Sequence, residues 1–256
     1  MKLIRAMLSE IYMDLASTVR YRFGFISDTA IFTVFLAFLM LSNTGASLAE
    51  KYGYADYKGL LLYGYIAWML SVAAISTASS EIQNELQRGT FYMKMNARYP
   101  IVVLYMGKLI ASILVQIAIT VLIAALAHAV WEVRLQFDPV ILLALLIGTF
   151  GMFGIGLLIA GVALLHKRAG ALTMIVQMLL LFITDTLPTS DVLSRITRVL
   201  PLTSANEVIR TSLAGGFDAR SLIVLVACSA LWLLLGTVAF NLFLKRAKRN
   251  GNLLMY

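Results

Sequence analysis

The feature that most constrains this chain is a series of six long apolar blocks, each of 16 to 26 residues. A helix needs roughly 20 apolar residues to cross the hydrocarbon core of a bilayer. The blocks are continuous rather than alternating, which favours helices over barrel strands, because a helix satisfies its backbone hydrogen bonds within one segment. We therefore predict an all-α, polytopic membrane protein in which residues 1–256 form a single transmembrane domain. The six predicted spans are Phe25–Leu41, Leu60–Ala78, Leu109–Ala127, Val140–Leu165, Leu172–Leu187 and Leu222–Leu244.

Composition supports the same class. Charged residues make up 13% of the chain, about half the share found in soluble domains. The one cysteine, Cys228, lies in the last apolar block, so an internal disulfide and a cysteine-based metal cluster are excluded. Charges continue through Arg22 and no small-residue cleavage site follows an apolar core, so the N-terminal segment is not expected to be a cleavable signal.

The distribution of basic residues predicts the orientation. With six spans, 14 of the 21 Lys and Arg residues share one side of the membrane with both termini, whereas eight of the 13 acids lie on the other side. An excess of Lys and Arg marks the cytoplasmic face. We therefore expect both termini to be cytosolic in a multi-pass protein of the cytoplasmic membrane. The net charge of +8 is read as a topology signal and not as a nucleic-acid-binding surface.

Two further regions show helical periodicity outside the spans. In residues 3–15, apolar residues spaced by three and four form one face, which predicts an interfacial helix within residues 1–22. The alternative for this helix is packing against protein. In residues 188–221, on the predicted outer side, we expect two short amphipathic helices that dip into the outer leaflet before the last span.

Acidic residues near the spans raise the question of catalytic or ion-binding chemistry. Glu81 and Glu85 share a helix face, which fits either a metal site or an ion-pair network that includes Arg88. A metal site would need more acids in the same pocket, and Asp28 stands alone in the sequence, so the ion-pair network is favoured. Asp28 and Asp185 are both expected to reach interfacial water or a nearby basic residue. No phosphate-binding loop, catalytic trio or metal-ligand motif is present in the sequence.

The polar segment between the second and third blocks, residues 81–99, reads EIQNELQRGTFYMKMNARY. Ile82 and Leu86 extend the second span as a helix beyond the membrane. Gly89 is expected to end this helix, and Thr90 is expected to cap a short following helix, FYMKMNA. That helix would present three side chains, Phe91, Tyr92 and Met95, to a groove on a partner protein. It should end at Tyr99, because the residue before a proline avoids helical geometry.

These motifs resemble those of the ABC-2 family of ABC-transporter permeases. The similarity is carried by ELQRGTF, by the following proline and Gly-Lys pair, and by LPLTSANEVIRTSLAGG at 200–216, and it extends over the whole chain in span order. Pro100 lies eleven residues after Gly89, about two more than the family pattern. The resemblance implies a half-transporter that forms a homodimer, or a pseudo-dimer with a second permease, and recruits two copies of a separate ATPase that binds ATP and Mg²⁺.

The resemblance also implies roles within this chain. The chain itself would bind no cofactor, and its N-terminal helix would act as an interfacial elbow. The first, second and fifth spans would line the path between protomers. The coupling segment (81–99) would dock on the ATPase through Glu85, Arg88, Gly89, Thr90, Phe91, Tyr92 and Met95.

Substrate and mechanism keep alternatives at this stage. The leading hypothesis is an exporter permease for a drug, peptide, lipid or other amphiphile, and a polysaccharide or lipid-linked glycan exporter is an alternative. A secondary carrier or channel would need deep charges or broken helices at the midplane. An integral-membrane enzyme acting on a lipid-linked substrate would need several cytosolic acids in one cleft.

Overall fold

The computed structural model describes residues 2–20, 22–42, 45–54, 56–95, 100–166 and 169–249, and at 2–6, 19 and 46 it describes the backbone alone. Within these ranges the chain forms eleven α-helices and no strand, so the predicted all-α class is confirmed. In chain order they are α1 (Lys2–Arg20), α2 (Arg22–Leu41), α3 (Ala46–Tyr52), α4 (Tyr57–Gln87), α5 (Phe91–Met95), α6 (Ile101–Trp131), α7 (Pro139–His166), α8 (Gly170–Ile183), α9 (Asp191–Thr197), α10 (Pro201–Leu213) and α11 (Ala219–Arg249).

Among the described helices, five are long and apolar enough to cross a membrane, namely α2, α4, α6, α7 and α11. Each contains one of the predicted apolar blocks. The remaining block corresponds to α8, which has only 14 residues. At 1.5 Å per residue it is about 21 Å long, shorter than the roughly 30 Å hydrocarbon core. The predicted count of six spanning helices is therefore not confirmed.

The early end of α8 has a local cause. The helix stops at Ile183, four residues before the predicted limit at Leu187. Asp185 then adopts a left-handed backbone conformation with φ of 57°. A helix cannot continue through a residue in this region. The side chains of Thr184, Asp185 and Thr186 are all buried, so polar groups follow the apolar helix into the protein interior.

The bundle has two ends, defined by the short helices beside α4. The 31 residues of α4 extend about 46 Å, from α3 at its first turn to α5 at its last. The α3 end also contains the start of α7, the end of α8 and helix α10. The α5 end contains α1, the start of α6 and the end of α7. A hydrogen bond of 3.0 Å from the Ala169 N–H to Gln83 Oε1 places the start of α8 there too.

The centre of the bundle is formed by α4, most of whose residues between Gly59 and Ala78 are buried. It packs against α6, α7, α8 and α10. Polar side chains attach α8 to it: the amide of Gln177 donates to Ser76 Oγ at 2.8 Å, and the indole of Trp68 donates to the Gln177 carbonyl at 2.9 Å. Helix α4 is therefore in direct contact with most of the other helices.

The most extensive helix pair is α7 with α11, and glycine makes it possible. A Cβ atom on Gly154 would lie 2.3 Å from the Trp232 carbonyl oxygen, and one on Gly236 would lie 2.0 Å from the Gly154 carbonyl oxygen. Neither position has room for a side chain. The glycines of both helices thus allow the close backbone approach at this crossing.

The region before the last span contains the two expected short helices, but they occupy different environments. In α9, Val192 and Ile196 are exposed. In contrast, most of α10 is buried, and this helix packs between α4, α7 and α11. The expectation that both helices dip into a leaflet is therefore wrong for α10, because its small and polar residues face protein.

Helix α1 lies along the first turns of α6. Gly107 of α6 approaches it so closely that a Cβ there would be 3.2 Å from the Met7 carbonyl oxygen. Glu10 and Asp14 are half-buried on the protein side, whereas Leu8, Tyr12 and Met13 are exposed. This helix therefore packs on protein with one face and presents apolar side chains outward with another.

Candidate functional site

The junction between α4 and α5 is organised by a tight turn at Gly89. This residue has a φ of 69°, a region that glycine enters without strain. The Gly89 N–H donates to the Leu86 carbonyl at 3.1 Å, and the Thr90 N–H donates to the Glu85 carbonyl at 3.0 Å. These two bonds are the Schellman pattern that closes many helix C-termini. The prediction that Gly89 ends the second long helix is confirmed.

Directly before this turn lies a network of charged side chains. Glu85 accepts hydrogen bonds from Lys94 Nζ at 2.7 Å, from Lys108 Nζ at 3.3 Å and from the Tyr105 hydroxyl. Lys108 also pairs with Glu81 at 2.8 Å, and Lys94 lies 3.8 Å from a Glu10 carboxylate oxygen. Lys94 Nζ also lies 4.8 Å from the centroid of the Tyr105 ring, a cation–π contact. We call these residues the Glu85 cluster: Glu10, Glu81, Glu85, Lys94, Tyr105 and Lys108.

The Glu85 cluster ties four helices together, since its members belong to α1, α4, α5 and α6. The expected ion-pair network is thus present, but with other partners. Arg88 was the expected partner of Glu85, whereas the cations found beside Glu85 are Lys94 and Lys108, and Arg88 is exposed. The reason is geometric: Arg88 lies in the turn after α4, while α5 and α6 fold back over Glu85. Within the described ranges, no group of three or more potential ligands is arranged to hold a metal ion.

Helix α5 has one buried and one exposed side. Phe91 is only 2% exposed, so its side chain anchors α5 to the bundle instead of being presented at the surface as expected. Tyr92 and Met93 are 51% and 76% exposed, and Met95 is half-buried. The Thr90 hydroxyl, which was expected to cap α5, donates instead to the Glu85 carbonyl of α4 at 3.4 Å. The expected end of this helix at Tyr99 lies outside the described residues.

A second polar cluster, at the α3 end, was not anticipated from the sequence. Asp185 was expected to reach either interfacial water or a nearby basic residue. It is 2% exposed and forms an ion pair of 2.5 Å with the fully buried Arg210, so the basic partner is found and contact with water is not. Asp185 also accepts hydrogen bonds from Tyr52 at 2.8 Å and from Thr189 at 2.9 Å, and Lys51 Nζ lies 3.4 Å away.

This Asp185–Arg210 pair holds the break after α8 against α3 and α10. Arg210 additionally donates to the Thr186 carbonyl at 3.2 Å, and its guanidinium lies 5.2 Å from the centroid of the Tyr52 ring. Burial raises the pKa of the Tyr52 phenol well above its ordinary value, so the hydroxyl stays protonated and donates to Asp185. The one sequence signal for this site was the Arg within the 200–216 motif.

Asp28 is exposed, which is consistent with its expected contact with interfacial water. It does not stand alone, however, because it lines a polar cleft between α1, α2, α4 and α6 together with Asp14 and Glu81. The sequence could not bring these residues together, since they lie on three helices whose relative rotation is set by packing. The part of the cleft that all three of these residues line has a volume of about 350 Å³.

Comparison with known proteins places this architecture in a family. The sequence model described as ABC-2 type transporter matches residues 5–214, which is most of the chain and includes the α4–α5 junction and α10. None of the curated proteins compared with the chain matches it. Because the family model covers well over half of the sequence, this chain belongs to the ABC-2 type transporter family.

Proposed function

We propose that this protein is the membrane-spanning permease subunit of an ATP-driven exporter, moved by a separate ATPase that docks at the α5 end. Family membership supports a transport permease of the ABC type. In this proposal the energy comes from a nucleotide-binding partner, which agrees with a sequence that contains no phosphate-binding loop. The basic residues collected at the α5 end favour its assignment to the cytosol, with both termini on that side.

The observation that carries this proposal is the attachment of α5 to the bundle. Phe91 is buried, Lys94 pairs with Glu85 at 2.7 Å, and Gly89 closes a tight turn, so α5 is a rigid continuation of the end of α4. Its outer surface carries Tyr92 and Met93, with Arg88 and Thr90 in the adjoining turn. Exposed aromatic and methionine side chains on a short helix suit docking into a groove of a partner protein.

The proposed mechanism follows from this attachment. Closure of two ATPase subunits on ATP and Mg²⁺ pushes α5 and the Glu85 cluster. Lys94 and Lys108 transmit the displacement through Glu85 to α4 and α6. Because α4 is the central helix, its movement opens the seam between two permease protomers towards the α3 end. In this account α2, α4 and α8 line the path, α8 provides the sixth crossing, and the protomers form a homodimer or a pseudo-dimer with a second permease.

The substrate proposed for this path is an amphiphile such as a drug, a peptide or a lipid. The exposed surfaces of α2 and α8 are apolar, including Ile31, Val34 and Phe38 of α2 and Met174 and Phe182 of α8. An apolar surface of this kind favours molecules that partition into the membrane over free ions.

The first test is whether an ATPase subunit co-purifies with the protein. The tagged chain, extracted from its native membrane, should co-purify with an ATP-hydrolysing subunit, and the amphiphilic substrate should stimulate hydrolysis by the complex. Transport by the purified chain alone, with no ATPase present, would overturn the proposal.

The second test is the variant Gly89→Pro. Proline has a φ near −65° and no N–H, so it removes both the left-handed turn and the bond from residue 89 to the Leu86 carbonyl. We expect normal insertion but at least a tenfold loss of ATP-driven transport, measured per ATP hydrolysed in vesicles. The matched control is Gly215→Pro, at another exposed left-handed glycine with a φ of 80°, far from the junction. Normal transport by Gly89→Pro would remove the coupling role of this turn.

A further inference from the structure

The polar cleft between α1, α2, α4 and α6 contains charges that the coupling mechanism does not use. Helix α2 contacts α4 near its middle, where the Tyr65 hydroxyl donates to the Phe32 carbonyl at 2.8 Å. Towards the α5 end of α2, Phe23 and Ile26 are exposed, whereas Phe25 between them packs against the core. The gap has three overlapping parts of about 350, 390 and 590 Å³, which share Asp14 and Glu81. Each part is within the size range of small-molecule sites.

The charge inside the cleft is unbalanced. Glu81 is neutralised by Lys108, which lies 2.8 Å away. In contrast, the carboxylates of Asp14 and Asp28 form neither an ion pair nor a hydrogen bond with any residue that the structure describes. Two carboxylates beside low-dielectric walls attract a cation more strongly than they would in water.

A second, independent feature points to a ligand. Gln116 of α6 lines the same cleft, is 6% exposed and leaves its amide Nε2 without a hydrogen-bond partner. An unpaired buried amide costs free energy, so such a group usually has a partner in some state of the protein. Here the partner would be an acceptor oxygen on a ligand. The remaining walls combine the apolar side chains of Phe32, Val72, Val115 and Ile119 with the hydroxyl groups of Ser76, Thr77, Ser80 and Ser112.

We propose that this cleft is the entry site for an amphiphilic organic cation, a molecule with a protonated amine, an acceptor oxygen nearby and an apolar body. The amine lies between Asp14 and Asp28, the oxygen accepts from Gln116, and the apolar body contacts Phe32 and Val115. The inference rests on the proposed function, because it names the substrate class of the exporter.

The shape of the cleft also indicates the route of entry. Helix α1 turns Glu10, Met13 and Asp14 towards the cleft and presents Leu8 and Tyr12 outward. An amphiphile in the adjoining leaflet can therefore slide past the apolar face of α1 and the exposed side of α2. In this route the apolar part of the amphiphile enters the cleft first, and its charged headgroup then reaches the two carboxylates. The site therefore favours cationic molecules that are already dissolved in the membrane.

The test is direct binding to the full chain in nanodiscs of zwitterionic lipid, without any ATPase. The probes share one fluorophore: dansylcadaverine carries an amine, its N-acetyl derivative is neutral, and dansyl-6-aminohexanoate is an anion. The wild-type chain should bind the cation at least tenfold more tightly than the neutral probe and should not measurably bind the anion. Asp28→Asn and Asp14→Asn should each weaken cation binding about tenfold and leave the neutral probe unaffected.

Two further variants separate the contributions. Gln116→Met should weaken the binding of the cationic and the neutral probe by the same factor, because the hydrogen bond donated by Gln116 is independent of the probe's charge. Glu50→Gln removes an exposed carboxylate from α3, outside the cleft, and should change neither affinity. Equal affinity of the wild-type chain for the cation and the neutral probe, or unchanged cation binding in both aspartate variants, would overturn the inference.

The outcomes distinguish this inference from the proposed function. An ATPase complex that exports amphiphiles without regard to charge would keep the proposed function and remove the cation site. A chain that binds the cation selectively, but neither recruits an ATPase nor transports, would keep the site and remove the proposed function.

Discussion

Asp185 and Arg210 show how strongly one residue pair depends on its surroundings. Both side chains are buried, and each has further hydrogen bonds, from Tyr52 and Thr189 to the carboxylate and from Arg210 to the Thr186 carbonyl. The attraction between the two charges is largely offset by the cost of removing them from water, so the net contribution of the pair to stability is modest. The loss of one partner, in contrast, leaves an uncompensated buried charge. Because of this asymmetry, both members of the pair are needed to stabilise the break after α8.

We therefore expect Asp185→Asn to lower the free energy of unfolding by about 3–5 kcal/mol. Asparagine tolerates the left-handed backbone at this position, so the change isolates the loss of charge. The measurement is equilibrium unfolding in detergent, followed by tryptophan fluorescence. The matched control is Asp191→Asn, whose carboxylate lies 3.3 Å from Lys51 but is exposed, and which should cost at most about 1 kcal/mol. Equal effects of the two variants would contradict the role assigned to burial.

Asp14 should make stability depend on pH. Burial raises the pKa of its carboxyl above the ordinary value of 3.8, and the neighbouring Lys108 opposes this only in part. The folded state therefore holds the proton more tightly than the unfolded state, and the associated stability is lost as the pH rises from 3.8 through the raised pKa. At neutral pH the ionised side chain is a net cost to folding.

Asp14→Asn is accordingly expected to raise the melting temperature at pH 7, with a gain that shrinks as the pH falls towards 4. Thermal melts across this range measure the difference. Asp218→Asn is the opposite case, because a hydrogen bond from Ser221 lowers the pKa of Asp218. Its charged form stabilises the start of α11, so its replacement should not raise the melting temperature at pH 7. A gain for Asp14→Asn that is independent of pH would contradict the assignment.

At the scale of elements, the packing of α7 on α11 depends on the absence of side chains. The backbones are close enough that the space for a Cβ on Gly154 is occupied by the carbonyl of Trp232, which cannot move as a flexible side chain would. The contact therefore has no alternative packing that keeps both helices in place.

Gly154→Ala should consequently destabilise the bundle by about 1–3 kcal/mol, the usual cost of overpacking. The change is measured as a loss of melting temperature and of monodisperse protein in size-exclusion chromatography. Gly24→Ala provides the control, because no atom lies within 4 Å of its added Cβ and alanine favours helix. A neutral result for Gly154→Ala would show that the two helices separate more easily than their close contact indicates.

At the scale of the whole molecule, polar networks occupy both ends of an apolar bundle, and one central helix passes between them. The Glu85 cluster holds the last turns of α4, while the Asp185–Arg210 pair lies against its first turns, where a Cβ on Gly64 would be 3.3 Å from the Arg210 guanidinium. Helix α4 thus connects the two polar networks directly. This arrangement fits a permease that must respond at one face to events at the other.

Several features of this architecture follow from local sequence. Hydropathy located five of the long helices, because the length of an apolar block is a property of the block alone. Gly89 indicated the end of α4 because the left-handed turn there depends on the absence of a Cβ atom. The short motifs around Gly89 and in residues 200–216 were sufficient to identify the family, which the match over residues 5–214 confirms.

Only the tertiary structure decided which charged and polar groups meet. Glu85 pairs with Lys94 and Lys108 instead of Arg88, Asp185 reaches Arg210 across 25 positions, and Asp28 shares a cleft with Asp14. Each of these pairings depends on the rotation and depth of separate helices, which are set by side-chain packing and by glycine contacts throughout the bundle. The sequence by itself determined where the helices are and which family they form, since hydropathy and backbone preference act locally, whereas the sites exist only because packing brings distant residues together.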